Sequence, residues 1–290
     1  DAKGQVQFAQ IGFQTNYKQG LRQLIPYVES FTPFPLIQID EQKKELTQVA
    51  LSLTATEGVV LAQTKDKRLL GVELDSVINQ MTGESIWKAI PIEFERGALD
   101  KTKKLLSMVI TPTNDFLYFL YQHELQVWTL KDHKANLRER IALKESAQKL
   151  TLLSGAHSVL VQFDNGSLSQ WFDTIKDEKR QLTLIRTFNV DAPIKQLAPE
   201  VYRKGVTIID AKGNVSLVHT TTEKALYSQH LFNEEVLAAT QPPNAEKLIV
   251  LTQKGWQCFE VTNPHPEVSV QSVFGKIWYE RVYSEFGKSI

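Results

Sequence analysis

The sequence predicts an all-β chain, a WD-repeat-like β-propeller of four-stranded blades, six or seven in number. Three observations predict it. A hairpin pattern is written repeatedly along the chain, its turns recur at intervals near 42 residues, and no stretch of ten or more residues carries a helical period. A repeat of that length with a central hairpin is the signature of a propeller blade.

The clearest copies run from His157 to Phe232. Ser158 to Phe163 is apolar and β-branched, Asp164-Asn165-Gly166 is a polar turn, and Ser167 to Phe172 alternates. Gly205 to Asp210, the turn ending at Gly213 and Asn214 to His219 repeat the pattern 47 residues later, turn glycine to turn glycine. Alternation with period two places every other side chain on one face, as in a half-buried strand. Glycine closing the turn supplies the φ > 0 that tight hairpins require. A further copy, Lys247 to Val261, has its Gly255 42 residues after Gly213. Upstream, Asp115 to Leu130 turns at Glu124, 42 residues before Gly166, and Gly58 to Leu74 turns at Lys67, 57 residues before Glu124. The longer interval predicts an insertion over 75–98.

In chain order, Val6 to Phe13 reads as a strand, Tyr17 to Gln23 as a loop around Gly20, and Pro26, Pro33 and Pro35 as breaks. The first clear blade opens at Leu46–Leu53 and closes with Ile86–Phe94, Pro91 being tolerable at an edge. The second takes Lys104–Ile110, the hairpin to Leu130 and Leu137–Leu143. The third runs from Lys149–Leu153 to Gln181–Phe188 around the charged turn 176–180, the fourth from Pro193 to Leu231, and the fifth from Glu235 to Val273. One or two more blades are expected from residues 1–45, the 75–100 region and the C-terminus, with strands from both ends closing the ring. The propeller domain is assigned to 1–275 and a tail to 276–290.

Composition bounds the chemistry. Lys and Arg number 33, as do Asp and Glu, so the formal net charge is zero, which gives no support to nucleic-acid binding. Hydrophobic residues make up 42% and charged residues 23%, ordinary for a globular chain. No apolar run approaches the roughly 18 residues of a membrane helix. The start, Asp1-Ala2-Lys3-Gly4, carries neither an initiator Met nor a signal-peptide pattern, and reads as an excised piece of a longer protein or a processed product. The single cysteine, Cys258, allows no internal disulfide and is expected to be a small buried filler.

No motif of nucleophilic, phosphate-cradling or metal-binding type occurs, and the six histidines make no short ligand pair. Asp164 and Asp210 precede hairpin turns, where a carboxylate accepts turn N–H groups. Trp128 and Trp171 are expected to pack between blades. Arg203-Lys204 is a basic pair before Gly205, either a solvated loop or a contact for an anion or an acidic partner. On residues alone the chain reads as a soluble propeller that binds something, and no enzyme activity is expected. No cofactor and no metal are expected.

Several stretches resemble a known family. Asn165-Gly166-Ser167-Leu168-Ser169-Gln170-Trp171-Phe172, Arg186-Thr187-Phe188, Ala192-Pro193, Leu197-Ala198-Pro199-Glu200, Arg203-Lys204 and His219 to Glu223 are similar to the extracytoplasmic insert of proteobacterial phosphate ABC transporter permeases. Asn263-Pro264-His265-Pro266-Glu267 and Phe274 to Glu280 add to the likeness, which covers roughly 150–283. After Glu280 the sequence departs from the family pattern. The resemblance implies a periplasmic propeller of an inner-membrane importer, with a membrane helix before it and a permease domain after it. The implied partners are a phosphate-binding protein and a second permease subunit. Arg203, Lys204, His265 and Glu267 become the candidate partner-binding residues. A free-standing periplasmic scaffold propeller for protein assembly is the alternative. A propeller enzyme is a third reading, one that requires carboxylates or histidines converging on the channel mouth.

Overall fold

Runs of β-branched and aromatic residues bounded by turn formers become strands, because side chains on a pleated sheet pack best when branched or broad. The computed structural model describes residues 2–6, 11–18, 20–28, 37–54, 56–83, 85–100, 102–155, 157–176, 178–190, 192–200, 204–222, 224–241 and 247–261. Among these, every regular element is a strand; Gln5–Val6 pairs with Ile37–Gln38, and in the main sheets neighbouring strands follow one another in chain order save for one added parallel strand.

The first sheet is Leu46–Leu53, Glu57–Thr64, Leu69–Ile78 and Ser85–Pro91. The second is Ser107–Ile110, Phe116–Tyr121, Glu124–Lys131 and Lys134–Ala142, with Glu93–Phe94 added in parallel to its last strand. The third is Ala147–Leu152, Ser158–Phe163, Leu168–Lys176 and Lys179–Phe188. The fourth is Ile194–Pro199, Gly205–Asp210, Asn214–His219 and Lys224–His230. The fifth is Val236–Thr240, Lys247–Thr252 and Gly255–Glu260. The chain divides into two compact units, residues 1–149 and 150–290. The opening strand of the third sheet spans their boundary.

Five blade-like sheets stand among the described residues where the sequence predicts six or seven, and the 75–98 insertion explains part of the difference. It forms no blade of its own. It lengthens the outer hairpin of the first sheet, Leu69–Ile78 pairing with Ser85–Pro91, and then supplies the parallel strand on the second. Pro91 ends an edge strand, where a missing N–H costs no ladder bond. The predicted loop over 17–23 is instead part of a hairpin. Ile11–Lys18 pairs with Leu21–Val28 around Gly20, at φ 79°. Pro26 lies within it, because a two-stranded ribbon leaves each strand one unpaired edge. The expected strand over 262–273 and the 276–290 tail lie outside the described residues.

The first four sheets bury both faces of their second strand, while in the fifth one face is only half-buried. In unit 1, Val59 and Leu61 face Leu117, Phe119 and Trp128 of the second sheet, while Val60 and Ala62 face Ile37 and Ile39 of the N-terminal segment. In unit 2, Ile208 joins Leu160 and Leu168 of the third sheet, and its neighbour Ile209 joins Leu248 and Val250 of the fifth. Successive residues therefore serve opposite neighbours, which is why these strands read as unbroken apolar runs. Trp128 is fully buried between the first two sheets, 5.9 Å from Phe94 and 5.8 Å from Phe119, ring centre to ring centre. Trp171 is half-buried, its Nε1–H donated to Ser169 Oγ at 2.7 Å.

Cys258 corrects its expectation. It is exposed, because strand parity puts it on the same face as Trp256 and Glu260, and Trp256 is 69% exposed.

Two devices recur from sheet to sheet. The outer strands of the second, third and fourth sheets each carry one extra residue, Arg138, Ile185 and Leu226, opposite a single shift on their neighbour. Such bulges bend the strand and increase its twist. Glutamine amides also reach from one sheet to main-chain carbonyls of the next: Gln48 to Leu105 at 3.1 Å, Gln162 to Ile194 at 2.9 Å and Gln196 to Leu237 at 2.8 Å.

Candidate interaction rim

Four of the stretches that carry the family resemblance, those holding Arg186, Glu200, Lys204 and Thr220, meet at loops of the third and fourth sheets, while Gly166 packs against the Ala192 carbonyl at another turn. The hairpin Ile194–Pro199 to Gly205–Asp210 is closed at its open end by Glu200 N–H donating to the Gly205 carbonyl at 3.0 Å. The Glu200 side chain is buried, and its carboxylate lies where a Cβ on residue 205 would stand. Glycine at 205 is therefore a matter of space rather than of dihedral freedom.

Lys204 is exposed, and its role is to tie loops together. Its Nζ donates to the Ser154 carbonyl at 3.1 Å, bridging to the turn that opens the third sheet's central hairpin. Its own carbonyl accepts from Thr220 N–H at 2.7 Å and Thr220 Oγ1–H at 2.8 Å. Thr220 is fully buried, and the Arg186 guanidinium donates to the carbonyls of Thr220 and Thr221. His219 Nδ1 lies 3.4 Å from Thr222 N and 3.3 Å from its hydroxyl. Arg186, Glu200, Lys204, His219 and Thr220 thus form one braced rim. Of the four candidate partner-binding residues, Lys204 is placed on this rim. Arg203, His265 and Glu267 lie outside the described residues.

The turn carboxylates divide. Asp210 accepts Lys212 N–H at 2.8 Å and Asn214 N–H at 2.9 Å on one oxygen and the Asn214 amide at 2.8 Å on the other, as its position before a turn predicts. In the third sheet Asn165, one residue on, takes that role, its Oδ1 accepting Ser167 N–H at 2.9 Å, and Asp164 is exposed. A cavity of about 240 Å³ lies beside the Asp210 turn, lined by Phe232, Glu234 and Lys195 among others. The Lys254 ammonium beside Glu234 holds that carboxyl below its usual range. Among the described residues, no three His, Cys, Asp or Glu side chains group to hold a metal ion.

A buried ion pair elsewhere escaped the sequence reading. Asp40 receives the fork of Arg68 at 3.0 and 2.9 Å and the N–H groups of Lys44 and Gln42 at 2.8 and 3.2 Å. Burial works to raise the Asp40 pKa, but the Arg68 fork and the two N–H groups outweigh it and hold the carboxyl below its ordinary 3.8. The only signal was an aspartate followed by a polar run, which marks a turn but not the arginine 28 residues away.

No protein-family model matches the chain, and no curated protein matches it. Among solved structures it is similar to the β-propeller domain of Cps50 (Swd1) from Myceliophteria thermophila. The TM-score is 0.53 and the identity 10%, over 82% of this chain and 90% of that one. At that identity the likeness speaks for the fold, a β-propeller of the WD-repeat kind.

Proposed function

We propose that the chain is a non-catalytic interaction module, and that it serves as the extracytoplasmic propeller of a phosphate ABC importer permease on the periplasmic side of the inner membrane. The observation that carries this reading is that residues from four of the resembling stretches meet on one rim. Arg186, Glu200, Lys204 and Thr220 are separated by up to 34 positions in sequence, yet they brace the same loops. Rigid loops on a sheet scaffold are the usual place for recognition. The polar groups gathered there bond to main-chain carbonyls and amides, the work of a shaped surface rather than of acid–base chemistry.

The test is calorimetric titration of this chain with the phosphate-binding protein of its own organism, with and without phosphate, and with phosphate alone. Heat that requires the binding protein, and that falls when the Lys204→Ala variant replaces the parent, is the expected result. Silence with the binding protein in both states overturns the importer reading. An upstream gene region encoding only a signal peptide, with a stop codon just beyond Ile290, makes the chain a free-standing scaffold instead.

A further inference from the structure

Residues of the first two sheets and the segment between them line an open cavity of about 210 Å³. Gln63 and Tyr121 both line it, and both are more than nine-tenths buried, at 8% and 5% exposure. Among the described residues neither the Gln63 amide nor the Tyr121 hydroxyl makes a hydrogen bond to the protein, so both polar ends are left to face the cavity and its solvent. Leu69, Leu99 and Leu105 supply apolar wall. Burial, then the charges of Glu124 and Asp100, push the Tyr121 hydroxyl up to about 12, so it stays a protonated donor at any ordinary pH.

The cationic rim is uneven. Arg68 is engaged by Asp40 and Asp66, and Lys103 by Glu124 at 2.6 Å, with Asp100 at 3.9 Å. Lys67 also lines the cavity, and among the described residues its ammonium makes no ion pair. Its backbone is held at φ 65°, in the left-handed region. The matching hairpin positions of the third and fourth sheets are Gly166 and Gly213, at φ 83° and 81°. In all three turns the residue's N–H is donated to the carbonyl three positions back. Five other described non-glycine residues, among them Asn114, Asp132 and Glu178, also take positive φ in turns, so the strain at Lys67 is of a kind these turns share.

We infer that this cavity binds a short branched-chain monocarboxylate, its aliphatic body among the leucines and its carboxylate taken by Lys67 with Tyr121 and Gln63. Inorganic phosphate fits poorly, since the leucine wall offers it nothing. A cation of the same shape meets Lys67, Arg68 and Lys103.

The experiment uses the 290-residue chain with labelled leucine methyl groups, titrated with 4-methylpentanoate, 4-methylpentan-1-amine and phosphate and followed by NMR. Saturable shifts of the Leu69, Leu99 and Leu105 methyls with the carboxylate alone are expected. Tyr121→Phe removes a hydroxyl that the protein does not bond, so its melting temperature should stay within a degree or two of the parent while affinity falls about tenfold. Lys67→Gly relieves the left-handed strain, so it should melt no lower than the parent and bind about tenfold more weakly. Absence of saturable shifts, equal binding of the amine or phosphate, or unchanged affinity in both variants overturns the inference. A large loss of stability in Tyr121→Phe does so too, by making the hydroxyl structural.

Discussion

Single residues decide local outcomes where geometry leaves no slack. Gly213 sits at φ 81° with its carbonyl accepting the N–H groups of Leu231 and Phe232, and a Cβ there would overlap the Phe232 carbonyl oxygen. Gly213→Ala should cost roughly 1–3 kcal/mol in urea unfolding, combining a forbidden dihedral with a backbone clash. Asp40 makes a pH prediction. Its folded pKa lies below the unfolded value, so the stability it contributes is fully present above about pH 4 and is lost as pH falls through the folded pKa. Unfolding midpoints should therefore decline on acidification. Asp40→Asn should be less stable at neutral pH, because Arg68 loses its charged partner, and should show a shallower acid decline. Equal acid slopes for variant and parent would place the titration elsewhere.

Strands show what periodicity can and cannot say. The two tryptophans Trp128 and Trp256 both lie in the third strand of their sheets, but one is wholly buried and the other 69% exposed. Trp128→Ala should cost about 3–5 kcal/mol, since it opens a cavity among Phe94, Phe119 and the strands beneath. Trp256→Ala should change stability by no more than about 0.5 kcal/mol. Chemical denaturation of the two variants side by side separates them. The hairpins from Glu57 to Glu260 were legible because each needs a turn former and two alternating runs, all local information. The extra residues at Arg138, Ile185 and Leu226 were not legible, since a bulge changes pairing without changing the alternation pattern much. Nor was the exposure of Cys258 and Trp256: parity puts them on one face together, but only the neighbour decides whether that face is covered.

At the scale of the whole molecule, composition speaks about behaviour in solution more than about shape. Equal numbers of acidic and basic residues and an isoelectric point near 7.2 leave little net repulsion between copies at neutral pH. Solubility should pass through a minimum near pH 7 and rise on either side, and light scattering across pH 5 to 9 (about two units each way) checks it. Of the rim, the sequence showed its residues but not their meeting. Arg186, Lys204 and Thr220 come together only once the third and fourth sheets stack, and the contacts run to carbonyls, which no residue type advertises. The cavity behind Lys67 was equally hidden, because Gln63 and Lys67 come from one sheet and Tyr121 from the next.

The glutamine ties carry an evolutionary corollary. Gln48, Gln162 and Gln196 each grip a main-chain oxygen of the following sheet, and every amino acid presents that oxygen. The grip is indifferent to which side chain its neighbour bears. Modules joined in this way can drift almost independently, each rewriting its own faces while the spacing between them persists. A scaffold so assembled keeps its outline long after its letters have ceased to resemble those of other propellers.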